Sequence, residues 1–214
     1  MTLLPFKPIN ALEKKIFSDR EFLIAIQAGR IRQWHTEGTV RNHIIHILRY
    51  IDKHYKKHPD YETLRIIALL HDTGKFARLY FRPNNYLPDG SKAQQKKLIA
   101  ASKAFSKKYR IPPMIAKKIE PYIYTSQHAY TSYLFAKKFL KDRQILEIIK
   151  YHDIAQDFKD NERTKKKYDK SKFKKIFLNL DIDIYQIFIK CDKCNHADDL
   201  SPRFKKQLRL HKIE

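Results

Sequence analysis

The chain has 214 residues, with 45 Lys and Arg against 23 Asp and Glu, a formal net charge of +22 and a pI near 9.9. Hydrophobic residues make up 43% and aromatics 13%, enough to build a core, so the charge excess predicts a folded, strongly basic protein rather than a disordered one. Four glycines leave no room for a glycine-rich dinucleotide fingerprint or a phosphate loop. The apolar runs are too short and too broken by charge to span a bilayer, and the N-terminus lacks the basic-then-apolar order of a signal peptide, so a soluble, cytoplasmic protein with no membrane partner is expected. Cys191 and Cys194 cannot frame a disulfide scaffold, which fits a reducing compartment.

Helical spacing dominates from end to end. Ala11 to Ala28 reads as one helix, with Gly29 placed to end it. Val40, Ile44, Ile47, Leu48 and Ile51 form one helical face behind Thr39, a plausible cap. Leu64, Ile67, Ala68 and His71 repeat the pattern. Arg82 to Gly90, with two prolines, two asparagines and a glycine, has the composition of a loop and follows His71-Asp72 closely enough to act as a lid. Three more stripes follow: Phe135, Ala136 and Phe139; Ile145, Ile148, Ile149 and His152; Tyr185, Phe188, Ile189 and Asp192. Between the last two, Lys159 to Lys175 has nine basic residues against three acidic ones and reads as a solvated connection. No alternating strand and no fixed-period repeat is present, so a single compact all-α domain is predicted.

The polar residues on the apolar faces need explanation. His71 stands seven after Leu64 and four after Ile67, with Asp72 beside it; His152 stands seven after Ile145. His128 lies seven before Phe135, Asp192 four after Phe188, and His43 at the edge of its stripe beside Ile47. One inward histidine is ordinarily a hydrogen-bonded core residue. Four histidines and two aspartates together, with no matching Lys or Arg on those faces, would be costly to bury unless cations sit among them. A metal site in the helical core is the cheaper explanation, and mixed imidazole and carboxylate ligands suit Zn, Fe, Mn, Co or Ni.

In order, these residues spell H…HD…D. Trp34 to Leu48 (WHTEGTVRNHIIHIL) and Ala68 to Lys75 (ALLHDTGK) resemble the corresponding stretches of the HD superfamily of metal-dependent phosphohydrolases, in particular the HD domain of bacterial tRNA nucleotidyltransferases. HAYTSYLFAKKFL and IIKYHD resemble the two extra histidine helices of two-metal HD phosphodiesterases, and FIKCDKCNHADDL their final aspartate helix. The resemblance covers Trp34 to Leu200 and implies an HD-type domain over 34–200, a helical N-terminal extension over 1–33 and a basic tail over 201–214. It makes His43, His71, Asp72 and Asp192 ligands of a first divalent ion, with Asp72 bridging to a second held by His128 and His152. It implies catalytic roles for Asp72 and for Lys75, which would touch a substrate phosphate oxygen together with Arg78 or Arg82. Asp153, beside His152, would orient it or accept from substrate. The nucleotidyltransferase head does not precede the motif, no GYP motif follows it, and HDTGK differs from the HD-x-x-E-D pattern of alarmone hydrolases. A metal-dependent phosphodiesterase or phosphatase acting on RNA or a nucleotide is therefore the expectation, with a nucleic-acid-binding HD scaffold carrying a structural metal as the alternative.

The remaining features bear on partners. Lys92 to Lys118 carries nine basic residues and no acidic one, with Phe105 and Tyr109 interleaved. That composition suits either a phosphate-tracking patch or a lysine-rich chain decorating its exposed faces. His35 reads as a supporting residue or a surface one, and His46 as solvent-facing. Cys191, Cys194 and His196 lack the second cysteine pair of a zinc knuckle and read as ordinary helix residues.

Overall fold

A computed structural model describes residues 4–31, 37–111, 127–154 and 176–193. Among these residues the protein is all-α, with ten helices and, in place of strands, one isolated bridge between Gly29 and Thr39. The basic connection Lys159 to Lys175, Trp34, His35, Cys194, His196 and the 201–214 tail lie outside the described residues. No described helix is long and apolar enough to cross a membrane.

The single helix expected over 11–28 is instead two, α1 (Ala11–Ser18) and α2 (Arg20–Ala25). Asp19 makes the break: its backbone is extended, and its carboxylate accepts the Phe22 N–H at 2.9 Å, capping a new helix. Gly29 serves something other than a helix end. Its φ is +123°, and a Cβ there would lie 2.4 Å from the Gly38 carbonyl oxygen, so only glycine allows the two segments to meet. Ile16, Phe22, Ala25 and Ile26 are fully buried in the same apolar cluster as Ile44 and Ile67, so the N-terminal segment shares one core with the rest.

The chain continues through α3 (Val40–His54), α4 (Tyr61–Leu70), α5 (Lys75–Phe81), α6 (Pro83–Tyr86), α7 (Lys92–Lys108), α8 (Gln127–Ala136), α9 (Arg143–Tyr151) and α10 (Ile182–Asp192). Thr39 caps α3 as expected, accepting the Asn42 N–H at 3.3 Å, and Ile44, Ile47, Leu48 and Ile51 are fully buried. Residues 82–90 are not wholly loop. Pro83 starts a helical turn, and Tyr86 at its end is buried with its carbonyl accepting the Gly29 N–H at 2.8 Å. That pins the segment at Tyr86, where a free lid was expected.

Helix α4 is the axis of the molecule. It is buried without a break from Leu64 to Leu70 and packs on α3, α8, α9 and α10, as its apolar surface on all sides demands. The exception in its sequence, Arg65, is 1% exposed. Its guanidinium donates through Nε to Glu13 Oε1 at 2.7 Å and through Nη2 to Glu13 Oε2 at 3.2 Å, and it also bonds Asp52. Burial opposes the guanidinium's charge, but the two carboxylates outweigh it and hold the group above its ordinary range. This ion triad ties α1 to the centre of the fold.

Candidate metal centre

The two consecutive pairs His71-Asp72 and His152-Asp153 pose a geometric question, because neighbours on a helix point about 100° apart. The chain resolves it by ending a helix at each pair. α4 stops at Leu70 and α9 at Tyr151, and the histidine that follows becomes the C-cap in each case. The same local bond recurs: His71 Nδ1 donates to the Ala68 carbonyl at 3.0 Å, and His152 Nδ1 to the Ile149 carbonyl at 2.8 Å. A carbonyl can only accept, so Nδ1 carries the proton and Nε2 presents a lone pair inward. Asp192 likewise ends α10. Three helix C-termini, each with its negative dipole end, therefore face one site and favour a cation there.

All six residues singled out from the sequence come together. His43 Nε2 lies 2.9 Å from Asp192 Oδ1, and His71 Nε2 lies 3.1 Å from the same oxygen. On the other side His128 Nε2 lies 3.2 Å from His152 Nε2. Asp72 stands between the two groups. Its Oδ1 is 3.1 Å from His128 Nε2 and 3.6 Å from His152 Nε2; its Oδ2 is 3.6 Å from His71 Nε2 and 3.7 Å from His43 Nε2.

A metal ion fits these donors on two counts. Ligands about 2.1 Å from one ion sit roughly 3 to 3.5 Å from one another, close to the 2.9–3.7 Å found here. In addition, His71 Nε2 and Asp72 Oδ1 are fully buried and have no hydrogen-bond partner among the described residues, despite neighbours at 3.1 Å. A cation beside each would satisfy it. His43, His71 and Asp192 form one group able to hold an ion, His71, Asp72 and His152 a second, and His128, His152 and Asp153 a third.

The third group adds a residue that the resemblance leaves outside the ligand set. Asp153 Oδ2 lies 3.2 Å from His128 Nε2. Its signal in the sequence was the second His-Asp pair, but a residue two past a helix end has no periodicity to place it. Gly74 and Ser132 were also missed. The Gly74 N–H donates to Ser132 Oγ at 2.8 Å, locking the turn after Asp72 onto α8, which carries His128. Glu37 stands behind His43, with Oε1 3.8 Å from Nδ1.

The electrostatics describe a site short of positive charge. Burial raises the Asp72 and Asp192 carboxyls, yet Lys75 and the imidazoles hold Asp72, and His43 with His71 hold Asp192, well below the usual range. Burial pushes His128 down to about 4, whereas the flanking carboxylates, Asp153 first, overcome burial at His152 and lift it to about 9. Burial also disfavours charge on His43, but the bond and charge of Asp192 together with the charge of Asp72 outweigh it and raise the group.

Lys75 donates to Asp72 Oδ2 and is itself held above its ordinary range: burial lowers it, and Asp72 more than compensates. His71 and Asp72 are 1% and 2% exposed, whereas His43, Asp192 and Asp153 reach 17%, 20% and 27%. Gly38, Thr39, His43, Lys75 and Tyr86 line a narrow cleft. Arg78 lies one turn beyond Lys75 and donates to the Tyr86 hydroxyl at 2.9 Å; Arg82 is exposed at the end of α5. His46 faces solvent and Cys191 is buried within α10, both as expected.

Comparison with protein-family models, with characterised proteins and with solved structures finds no match to this chain.

Proposed function

We propose that the chain is a metal-dependent phosphohydrolase of the HD type that cuts a phosphodiester in RNA or in a nucleotide, with two divalent transition-metal ions (Mn, Fe, Ni, Co or Zn) as cofactor. One observation carries this reading: the two oxygens of Asp72 face different histidine groups, so that this carboxylate could serve an ion on either side. His43, His71 and Asp192 would hold the first ion with Asp72; His128 and His152 would hold the second, with Asp153 beside them. Bound there, such ions supply a water activated for attack and neutralise charge developing on the phosphoryl oxygens.

The chain's own residues perform the rest. His71 and His152 are held in one tautomer by backbone carbonyls, so their lone pairs are aimed before any ligand arrives. Phe188 packs edge-on against His71, with ring centroids 5.2 Å apart, and excludes water from the closed side of the site. Lys75, which lines the narrow cleft with His43, binds a non-bridging oxygen of the substrate phosphate, and Arg78 one turn further on α5, or Arg82 at its cap, adds a second cation.

The test is hydrolysis of bis-(4-nitrophenyl) phosphate and of an RNA oligonucleotide by the chain loaded in turn with Mn, Fe, Ni, Co and Zn. Asp72→Ala is expected to lose more than about a hundredfold in activity; parent-level turnover by this variant overturns the reading. Bound metal with no turnover by any loaded form favours instead a nucleic-acid-binding scaffold with a structural metal, to which the net charge of +22 points.

A further inference from the structure

A second concavity, of about 720 Å³, lies between α2, the first turn of α3, the 88–90 segment and α7. Three cations line it, Arg20, Arg41 and Lys97, against one carboxylate, Asp89. The wall amides are already engaged. Gln94 belongs to the Ser91 capping box, Gln95 Nε2 donates to the Pro88 carbonyl at 3.3 Å, and Asn42 Nδ2 donates to the Glu37 carbonyl at 2.9 Å. Two of the three cations are uncommitted among the described residues. Arg41 Nη1 donates to Asn42 Oδ1 at 3.1 Å, and among the described residues Arg20 and Lys97 make no hydrogen bond or ion pair. Walls fixed by their own polar groups, with positive charge left over inside, are what an anionic ligand requires.

The place of the cleft says how that ligand is connected. Thr39 lines both this cleft and the narrow one that reaches His43 and Lys75. His43 follows Thr39 by four residues on α3, about 6 Å along the helix axis, a distance one sugar–phosphate unit spans. Three cations distributed through one cleft match a ligand with charge at regular intervals rather than a single phosphate. Ile24 and Leu98 supply an apolar strip among them, on which an unstacked base can lie and which a duplex would leave unused. Helix α7, which forms one wall, carries six lysines and no acidic residue, so the positive surface continues past the cleft.

We propose that this cleft binds a single strand of nucleic acid continuing from the phosphate held at the metal centre, with Arg20, Arg41 and Lys97 on its backbone and a base against Ile24 and Leu98. Only the position of the reacting phosphate rests on the phosphohydrolase reading; the binding itself does not.

The experiment is fluorescence anisotropy of a labelled ten-nucleotide single-stranded RNA with the full chain, in EDTA so that no metal-dependent cutting occurs, over a salt series. Arg20→Gln, Arg41→Gln and Lys97→Gln combined are expected to weaken binding at least tenfold and to flatten the log K against log salt slope by about 2, from roughly 0.7 per phosphate contact. Lys14→Gln, Lys53→Gln and Lys141→Gln combined, three exposed lysines outside the cleft, are expected to change binding less than threefold, with all variants melting within a few degrees of the parent. Equal losses in the two triple variants overturn the proposal, as does AMP competing as strongly as the oligonucleotide, or a duplex of the same sequence binding more tightly than the single strand. Cleft-dependent binding with no hydrolysis under any metal upholds this inference and defeats the phosphohydrolase reading. Hydrolysis with binding unaffected by the cleft substitutions does the reverse.

Discussion

Gly74 and His128 meet backbone to backbone: a Cβ on Gly74 would lie 2.0 Å from the His128 carbonyl oxygen and 2.6 Å from the Ser132 nitrogen. The contact places the start of α8 against the turn that carries Asp72, and it is what allows His128 Nε2 to stand 3.1 Å from Asp72 Oδ1. Gly74 is therefore needed for its lack of a side chain, its φ of −66° being open to any residue. Gly74→Ala is expected to push α8 away, at a cost of about 3 kcal/mol in stability. The loss would be read as a fall in Tm of roughly 10 °C. Ser132→Ala, which removes one hydrogen bond without overlap, is expected to cost about 1 kcal/mol. A Gly74→Ala protein as stable as the parent would contradict the close approach.

The division of Asp72 between two histidine groups predicts the metal stoichiometry. Elemental analysis of the purified chain is expected to give about two transition-metal equivalents, falling to about one in His128→Ala. His46→Ala, on the exposed face of the same helix as His43, is expected to leave the count unchanged. Equal metal content in His128→Ala and the parent, after metal has been added back to both, contradicts a site on that side.

Arg65 is the test of the central ion triad. Removing Glu13, its bidentate partner, leaves a buried guanidinium with Asp52 alone, and Glu13→Gln is expected to destabilise the protein by about 3 kcal/mol. Replacing both partners by apolar residues avoids the stranded charge, so Glu13→Met with Arg65→Met is expected to cost less than Glu13→Gln alone. Urea denaturation of the three proteins checks the order; a double variant less stable than the single one contradicts it.

A second ion cluster predicts a pH dependence. Glu21 on α2 accepts from Lys108 at 2.7 Å and Lys138 at 2.9 Å, and also from the Tyr109 hydroxyl at 3.2 Å. Partial burial raises its carboxyl, but the two ammonium groups outweigh this and lower it below the ordinary 4.5. A carboxyl lowered on folding contributes stability that is present above its unfolded pKa and lost as pH falls through its folded one. The group is 29% exposed, so the contribution is about 1 kcal/mol. Glu21→Gln is accordingly expected to be less stable than the parent by that amount at pH 7, with the difference shrinking as the pH falls below 4.5 and through the lowered folded pKa. A stability difference independent of pH would rule out this origin.

Much of the molecule is written in its periodicity. A helix repeats every 3.6 residues, so Ile44, Ile47, Leu48 and Ile51 had to share a face, and polar residues in register with such faces, such as His152 and Asp192, had to turn inward with them. The all-α class and the inward facing of His71, His128, His152 and Asp192 follow from that rule, whereas Asp72 turns in beside His71 because α4 ends there. What periodicity cannot reach lies at helix ends and between distant segments. The break at Asp19 depends on one capping carboxylate, and Asp153 joins the site only because α9 stops two residues before it. The facing of Asp72 toward both histidine groups, the pairing of Glu13 with Arg65 across 52 positions, and the cleft shared by α2, α3 and α7 arise only when the helices pack. Local sequence sets which way a side chain faces from its own helix, whereas the distance between two side chains on different helices is set by how closely the backbones approach, and here a glycine at position 74 decides it.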